Sequence, residues 1–315
     1  MAWQRETFKK IKQLPKEEYI LPGTSLCAGC GGLVALRLAA KVLGDNVVYV
    51  NAAGCFTMMV VHPFTPFRGS WLYTTMASAP AGAQGIRDAL DILIAKGRLP
   101  EDEDLKVVVV AGDGATYDMA LAATSGAIDR KLDFYYFCYD NEAYGNTGMQ
   151  SSSATPFGAR TATSPCTVQH PAGAEREKKD IFEIWRAHQP PYLATVSPRH
   201  PLDLVEKFAR ATRYRGPKLF LALSPCPTGW GYEPAQTAEV ARLAVETGLW
   251  PLKEAIHGQV THTYVPKLKP VEDYLRLQAR FRHLFEPTRQ EEAIRHIQDR
   301  VAAYWQQATA KTTAR

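Results

Sequence analysis

The sequence predicts an α/β protein built on a doubly wound, mostly parallel sheet. Three observations carry this reading. Short runs rich in Val, Ile, Tyr and Phe alternate with longer helical patterns. The strand runs are continuously apolar, as in a sheet covered on both faces. Polar clusters fall just past the ends of successive strands, where ligands sit in folds of this kind.

Strands are expected at 46–50, 106–110, 134–139, 192–196 and 219–223, with helices at 32–43, 82–96, 117–129, 179–188 and 202–214. Right-handed crossovers then bring the strand C-termini to one edge. Residues 145–178 are rich in Gly, Ser, Thr and Pro and lack periodicity, so they read as a long ordered flap. After Pro227 the pattern changes. Residues 260–265 are strand-like, and 287–307 form an amphipathic helix carrying Ile294, Ile297, Val301 and Trp305. The expected division is an α/β domain over 1–226 and an extension over 227–315 that packs on it or on a partner subunit.

Of the 315 residues, 46% are hydrophobic and 22% charged, with a net charge of +5. This is an ordinary globular balance, with dispersed basic residues and no signature of a nucleic-acid binder. No stretch is long and apolar enough for a membrane span, and the N-terminus lacks a signal-peptide core. The expected location is the cytoplasm, where six cysteines call for metal or catalytic roles rather than disulfides.

Gly112-Asp113-Gly114 follows one apolar run and Asp140-Asn141-Glu142 the next. GDG alone is an ordinary strand–helix turn. Two such tips at one sheet edge are more specific. A carboxylate, an amide oxygen and a backbone carbonyl make a hard oxygen site suited to Mg²⁺. Gly112 and Gly114 admit phosphate close to the backbone, and the helix start beyond Ala115 offers free N–H groups. GDG, then 28 residues from Asp113 to Asn141, then NEAYGNTG, resembles the thiamine diphosphate-binding motif. That resemblance implies Mg²⁺ ligation by Asp113, the Asn141 side chain and the Ala143 carbonyl. Asp140 stands where the family usually has asparagine.

Cys27 and Cys30 in GTSLCAGCG open the first helix, Cys55 follows the first strand, and Cys226 in SPCPTGW follows the last. A Cys₄ set suits zinc or an iron–sulfur cluster. Cys138 falls inside a strand and reads as core; Cys166, in the flap, receives no role.

Taken together, CAGCG, Gly54-Cys55, GDG, DNEAYGNTG, SATPFG at 153–158 and SPCPTGW resemble the β subunits of the 2-oxoacid:ferredoxin oxidoreductases, over about residues 21–250. The resemblance implies thiamine diphosphate, Mg²⁺ and a [4Fe–4S] cluster on Cys27, Cys30, Cys55 and Cys226. It implies cofactor contacts from Gly112, Asp113, Gly114, Ala115, Asn141, Ala143, Asn146 and Thr147, with Asn146 facing the substrate. It also implies a partner α subunit supplying the catalytic glutamate, a subunit carrying further clusters, and ferredoxin as acceptor. Residues 61–69 (VHPFTPFRG) and 78–81 (SAPA) depart from pyruvate enzymes, which ranks oxalate ahead of pyruvate as the 2-oxoacid. His62 and Arg68 are candidate readers of that dianion, or ordinary structural and interface residues. A non-redox thiamine enzyme with structural zinc is the more distant alternative.

Overall fold

The computed structural model describes residues 5–60, 63–101 and 104–313. Eight strands form one sheet in the order β2-β1-β3-β4-β6-β5-β7-β8. They are β1 (Val47–Ala52), β2 (Ser70–Thr74), β3 (Lys106–Gly112), β4 (Tyr135–Asp140), β5 (Tyr192–Val196), β6 (Lys218–Leu223), β7 (Lys253–Ile256) and β8 (Gln259–His262). The first six run parallel; β7 pairs antiparallel with β5, and β8 with β7.

The helices are α1 (Gly31–Leu43), α2 (Ala79–Ala95), α3 (Leu121–Asp129), α4 (Ile181–Ala187), α5 (Pro201–Ala211), α6 (Pro227–Trp230), α7 (Thr237–Glu246), α8 (Val271–Leu275) and α9 (Glu291–Thr313). The period-2 alternation of strand side chains splits the interior into two cores. Val108, Val110, Tyr135, Phe137 and Tyr139 pack with Leu36 and Ala40 of α1 and Leu204 and Phe208 of α5. Val107, Val109, Ala111, Tyr136 and Cys138 pack on the other face with α2, α3, α4, α7 and α9. Burial on both sides explains the continuous apolar strands.

Three elements differ from the sequence expectation. The helix expected at 117–129 begins instead as a π-type turn over Gly114–Met119, in which Ala120 N–H donates to Ala115 O at 2.7 Å, before α3 starts. Such turns recur at functional sites. Strand β2 was not anticipated. Strand β7 was likewise not anticipated: residues beyond Pro227 extend the same sheet through β7 and β8. Ile294, Ile297, Val301 and Trp305 of α9 pack into the core, one of the two placements expected for this extension. No helix among the described residues is long and apolar enough to cross a membrane.

Candidate active site

The C-terminal ends of β1, β3, β4 and β6 form one rim, and Cys55, Asp113, Asn141 and Cys226 each lie one to three residues beyond them. Gly112 pairs with Tyr139 across β3 and β4, so the tips carrying Asp113 and Asn141 are neighbours. The Asn141 amide oxygen faces Asp113 Oδ1 at 2.7 Å and the Ala143 carbonyl oxygen at 2.8 Å. Three oxygens thus meet with no proton between them. Three arrangements relieve the repulsion: the amide turned over so that its NH₂ donates to both, a proton on the Asp113 carboxyl, or a cation among the three. Adjacent oxygens around Mg²⁺ lie ~2.9 Å apart, √2 times its bond length. The two separations from Asn141 are each close to one such octahedral edge. Asp113 is fully buried, and burial, with Asp140's charge added, pushes its carboxyl well above the usual carboxylate range. A divalent cation would reverse that shift.

Sequence reading missed the residues that hold Asp113 and Asn141 in place. Ser152, buried in the flap, donates to Asp113 Oδ2. The Trp230 indole N–H donates to the Asn141 carbonyl at 2.8 Å. Glu142 sits in left-handed backbone, φ 64°, a conformation that is uncommon for a non-glycine residue and costs roughly 1–2 kcal/mol. Its carboxylate accepts from Lys178 Nζ at 3.0 Å and from Arg280 at 2.7 Å, and Thr155 Oγ1 donates to its carbonyl at 2.8 Å. Burial raises the Glu142 pKa, but Lys178 and Arg280 outweigh it and hold the carboxyl below its ordinary value. Lys178 also reaches Asp140 at 2.8 Å, and Tyr117 OH donates to Asp140 at 2.6 Å. The Asp140 carboxylate beside Asn141 is thus paired with Lys178 and hydrogen-bonded by Tyr117. Arg280 lies 3.8 Å above the Trp230 ring, closing the network.

Gly114 lies so close to Tyr144 that a Cβ would enter its ring. The glycine therefore lets the Gly114–Met119 turn and the 141–148 loop meet. Ala115 and Ala143 are buried, whereas Asn146 and Thr147 are exposed at the outer lip of the loop; Thr147 Oγ1 bonds within it, to the Tyr144 carbonyl at 3.3 Å.

Cys30 caps α1 and Cys226 caps α6, where its sulfur accepts from Gly229 N–H at 3.3 Å. The two loops are pinned by Gly31 N–H donating to Pro225 O at 3.0 Å, and Cys30 N–H donates to Cys27 O at 3.2 Å. Cys55 opens a 3₁₀ turn after β1. Burial, then the negative charge of Cys226, pushes Cys55 up to about 12 and Cys30 up to about 11. The charges of Cys27 and Cys30 act on Cys55 in the same direction. No three His, Cys, Asp or Glu among the described residues are gathered closely enough to hold a single metal ion. Gly145 links the two clusters: a Cβ there would lie 2.8 Å from Asn141 Nδ2 and 3.2 Å from Cys55 Sγ. The Asn141 amide nitrogen and the Cys55 sulfur are themselves 3.9 Å apart.

Cys138 is buried within β4, as expected of a core residue, and Cys166 is half-buried in the flap. Arg68 precedes β2 and so lies at the opposite, N-terminal edge of the sheet. It is exposed, paired with Glu17 at 2.6 Å and stacked over Tyr19. That position makes it a surface ion pair rather than a substrate reader. His62 lies outside the described residues.

Fold and site together define a thiamine diphosphate enzyme. Residues 10–221 match the family model described as thiamine pyrophosphate enzyme, C-terminal TPP binding domain. Pyruvate synthase subunit PorB of Methanothermobacter thermautotrophicus is 47% identical over 87% of this chain and 93% of its own length. PorB of Methanocaldococcus jannaschii is 45% identical over 87% and 92%. Ketoisovalerate oxidoreductase subunit VorB of Pyrococcus horikoshii is 38% identical over 89% and 90%. The solved 2-oxoglutarate:ferredoxin oxidoreductase of Magnetococcus marinus shares the fold, with TM-score 0.54 and 22% identity over 72% of each chain. The chain belongs to the β subunits of the 2-oxoacid:ferredoxin oxidoreductases, enzymes that use thiamine diphosphate, work with other subunits and deliver electrons to ferredoxin.

Proposed function

We propose that this subunit oxidises pyruvate, with a Mg²⁺ ion on Asp113, Asn141 and the Ala143 carbonyl and a [4Fe–4S] cluster on Cys27, Cys30, Cys55 and Cys226. One observation carries the pairing: Cys55 and Asn141 touch across Gly145, 3.9 Å from sulfur to amide nitrogen. Zinc on the same four cysteines is the alternative; an iron–sulfur cluster is the reading that gives this subunit an electron acceptor beside the thiamine site.

Pyruvate is preferred over oxalate for two reasons. The two relatives of 45% identity or more named above are pyruvate synthase subunits. Arg68, one of two residues that favoured a dianion, is occupied by Glu17 at the far edge of the sheet.

When bound, thiamine diphosphate supplies the nucleophilic carbon that attacks the 2-oxo group and the electron sink for decarboxylation, and the cluster removes electrons singly. This chain's residues bind and orient. Asp113 is fixed by Ser152, and Asn141 by Trp230. The turn beginning at Gly114 directs backbone N–H groups toward the diphosphate. The thiolates hold the electron acceptor against that loop. Asn146, at the lip, is the substrate-facing amide, and the partner α subunit supplies the glutamate that activates the cofactor. Coenzyme A collects the acyl group, and a further subunit relays electrons to ferredoxin.

The test is anaerobic turnover of the purified complex with pyruvate and with oxalate, with and without coenzyme A, followed by reduction of a low-potential dye. Coenzyme A-dependent reduction with pyruvate is expected. Reduction with oxalate alone would reverse the assignment.

A further inference from the structure

A cavity of about 300 Å³ lies between the sheet and α9, at the lower end of the size range of ligand pockets. Its walls include Trp250, Ile297 and Val301, with Phe182 and Tyr304 at one end. Lys253 enters at that end. The residue is only 7% exposed, and no carboxylate is within ion-pair distance of its ammonium among the described residues; the charges of Asp180 and Glu183 act on it through space. Its neighbours are aromatic faces: Phe182 at 4.0 Å and Tyr304 at 5.4 Å.

The other cations around the cavity are committed. Lys178 pairs with Asp140 and Glu142, Lys179 with Asp118, and Arg300 with Glu177. Aromatic faces offset the burial of an ammonium by about 2 kcal/mol. Loss of hydration costs several kcal/mol per buried ion. Asp180 and Glu183 lie near enough to act on Lys253 through space, but neither reaches it. The chamber therefore combines a mainly apolar wall with Lys253, a cation not directly paired; of the carboxylates that also line it, Glu142 and Glu177 are paired with Lys178, Arg280 and Arg300, and Asp180 acts on Lys253 only through space.

We propose that this cavity binds a small monocarboxylate with an apolar tail, the carboxylate on Lys253 Nζ and the tail along Trp250 and Val301. No covalent step is involved. The site is independent of the substrate assignment above. It shares Lys178 and Glu142 with the underside of the metal-ligand loop, so its occupant lies directly beneath that loop.

Calorimetric titration of the intact purified complex with octanoate, and with neutral octanamide as control, tests this. Octanoate is expected to bind saturably at one site per chain, at least about tenfold more tightly than octanamide. Lys253→Met, which keeps the volume and removes the charge, should abolish that preference while octanamide affinity stays unchanged. Val301→Trp, which fills the chamber, should abolish both. No saturable octanoate binding to the native complex would overturn the proposal outright. So would an undiminished preference in Lys253→Met, or undiminished binding in Val301→Trp.

Discussion

The oxygen cluster and the sulfur cluster occupy neighbouring stretches of one rim but are built differently. Asp113 and Asn141 are held by side chains from distant parts of the chain: Ser152, Trp230 and the Glu142–Lys178–Arg280 network. The cysteines are held mainly by backbone, at the starts of α1 and α6 and in the turn after β1. The first site is preorganised by buried charge. In the second, burial and mutual repulsion disfavour the thiolates of Cys30 and Cys55, a cost that the proposed cluster would offset.

Removing one member from each site should expose that contrast. Asp113→Ala is expected to weaken Mg²⁺-dependent thiamine diphosphate binding by more than about 100-fold and to reduce turnover to background, since a direct ligand outweighs the 10–100-fold typical of residues behind ligands. Cluster absorbance should remain. Cys55→Ala should do the reverse, bleaching visible absorbance while equilibrium binding of thiamine diphosphate changes little. Loss of both signals in either variant would show that the two sites are not separable.

Arg280→Met sharpens the comparison. It leaves Glu142 with Lys178 alone, so the destabilisation should be about 2 kcal/mol, below the usual figure for breaking a buried pair because one cation remains. Cofactor affinity should fall about 10-fold, and Arg280→Lys should recover part of it. Urea unfolding and cofactor titration read the two effects. Cys138→Ala, in the core of β4, should cost about 1 kcal/mol in stability and leave turnover unchanged.

The smallest effect concerns His262, half-buried and bonded to Tyr304. Burial, then the nearby Lys253 charge, lowers its pKa from 6.5 to about 4. The folded state therefore binds fewer protons than the unfolded chain between those values. Its contribution to stability is complete above pH 6.5 and is lost as pH falls toward 4. His262→Gln should flatten the acid limb of stability measured by thermal melting.

The central sheet was legible because β1, β3, β4, β5 and β6 are buried on both faces and read as apolar runs. Strand β2, SWLYT, has no fully buried residue, so no run of buried apolar residues marked it. Strand β7, KEAI, carries a lysine and a glutamate that become acceptable only in the folded core, where Tyr192 and Arg210 meet Glu254. The positions of Asp113, Asn141 and Cys55 followed from strand ends and turn residues, which are local signals. Lys178 and Arg280 were invisible because their partner Glu142 lies 36 and 138 residues away. Charge pairing at such separations leaves no periodicity to read. Arg68 misled because a basic residue in an unusual segment suggests an anion reader until the sheet shows which edge it occupies.

In the proposed arrangement a divalent metal ion on Asp113 and Asn141 adjoins an iron–sulfur cluster on Cys27, Cys30, Cys55 and Cys226. The direct measurement is electron paramagnetic resonance of the dithionite-reduced, thiamine-loaded complex with Mn²⁺ in place of Mg²⁺. Faster relaxation and broadening of one cluster signal, absent with Mg²⁺ and abolished by Cys55→Ala, is the predicted result. Cluster signals identical with either metal would contradict it.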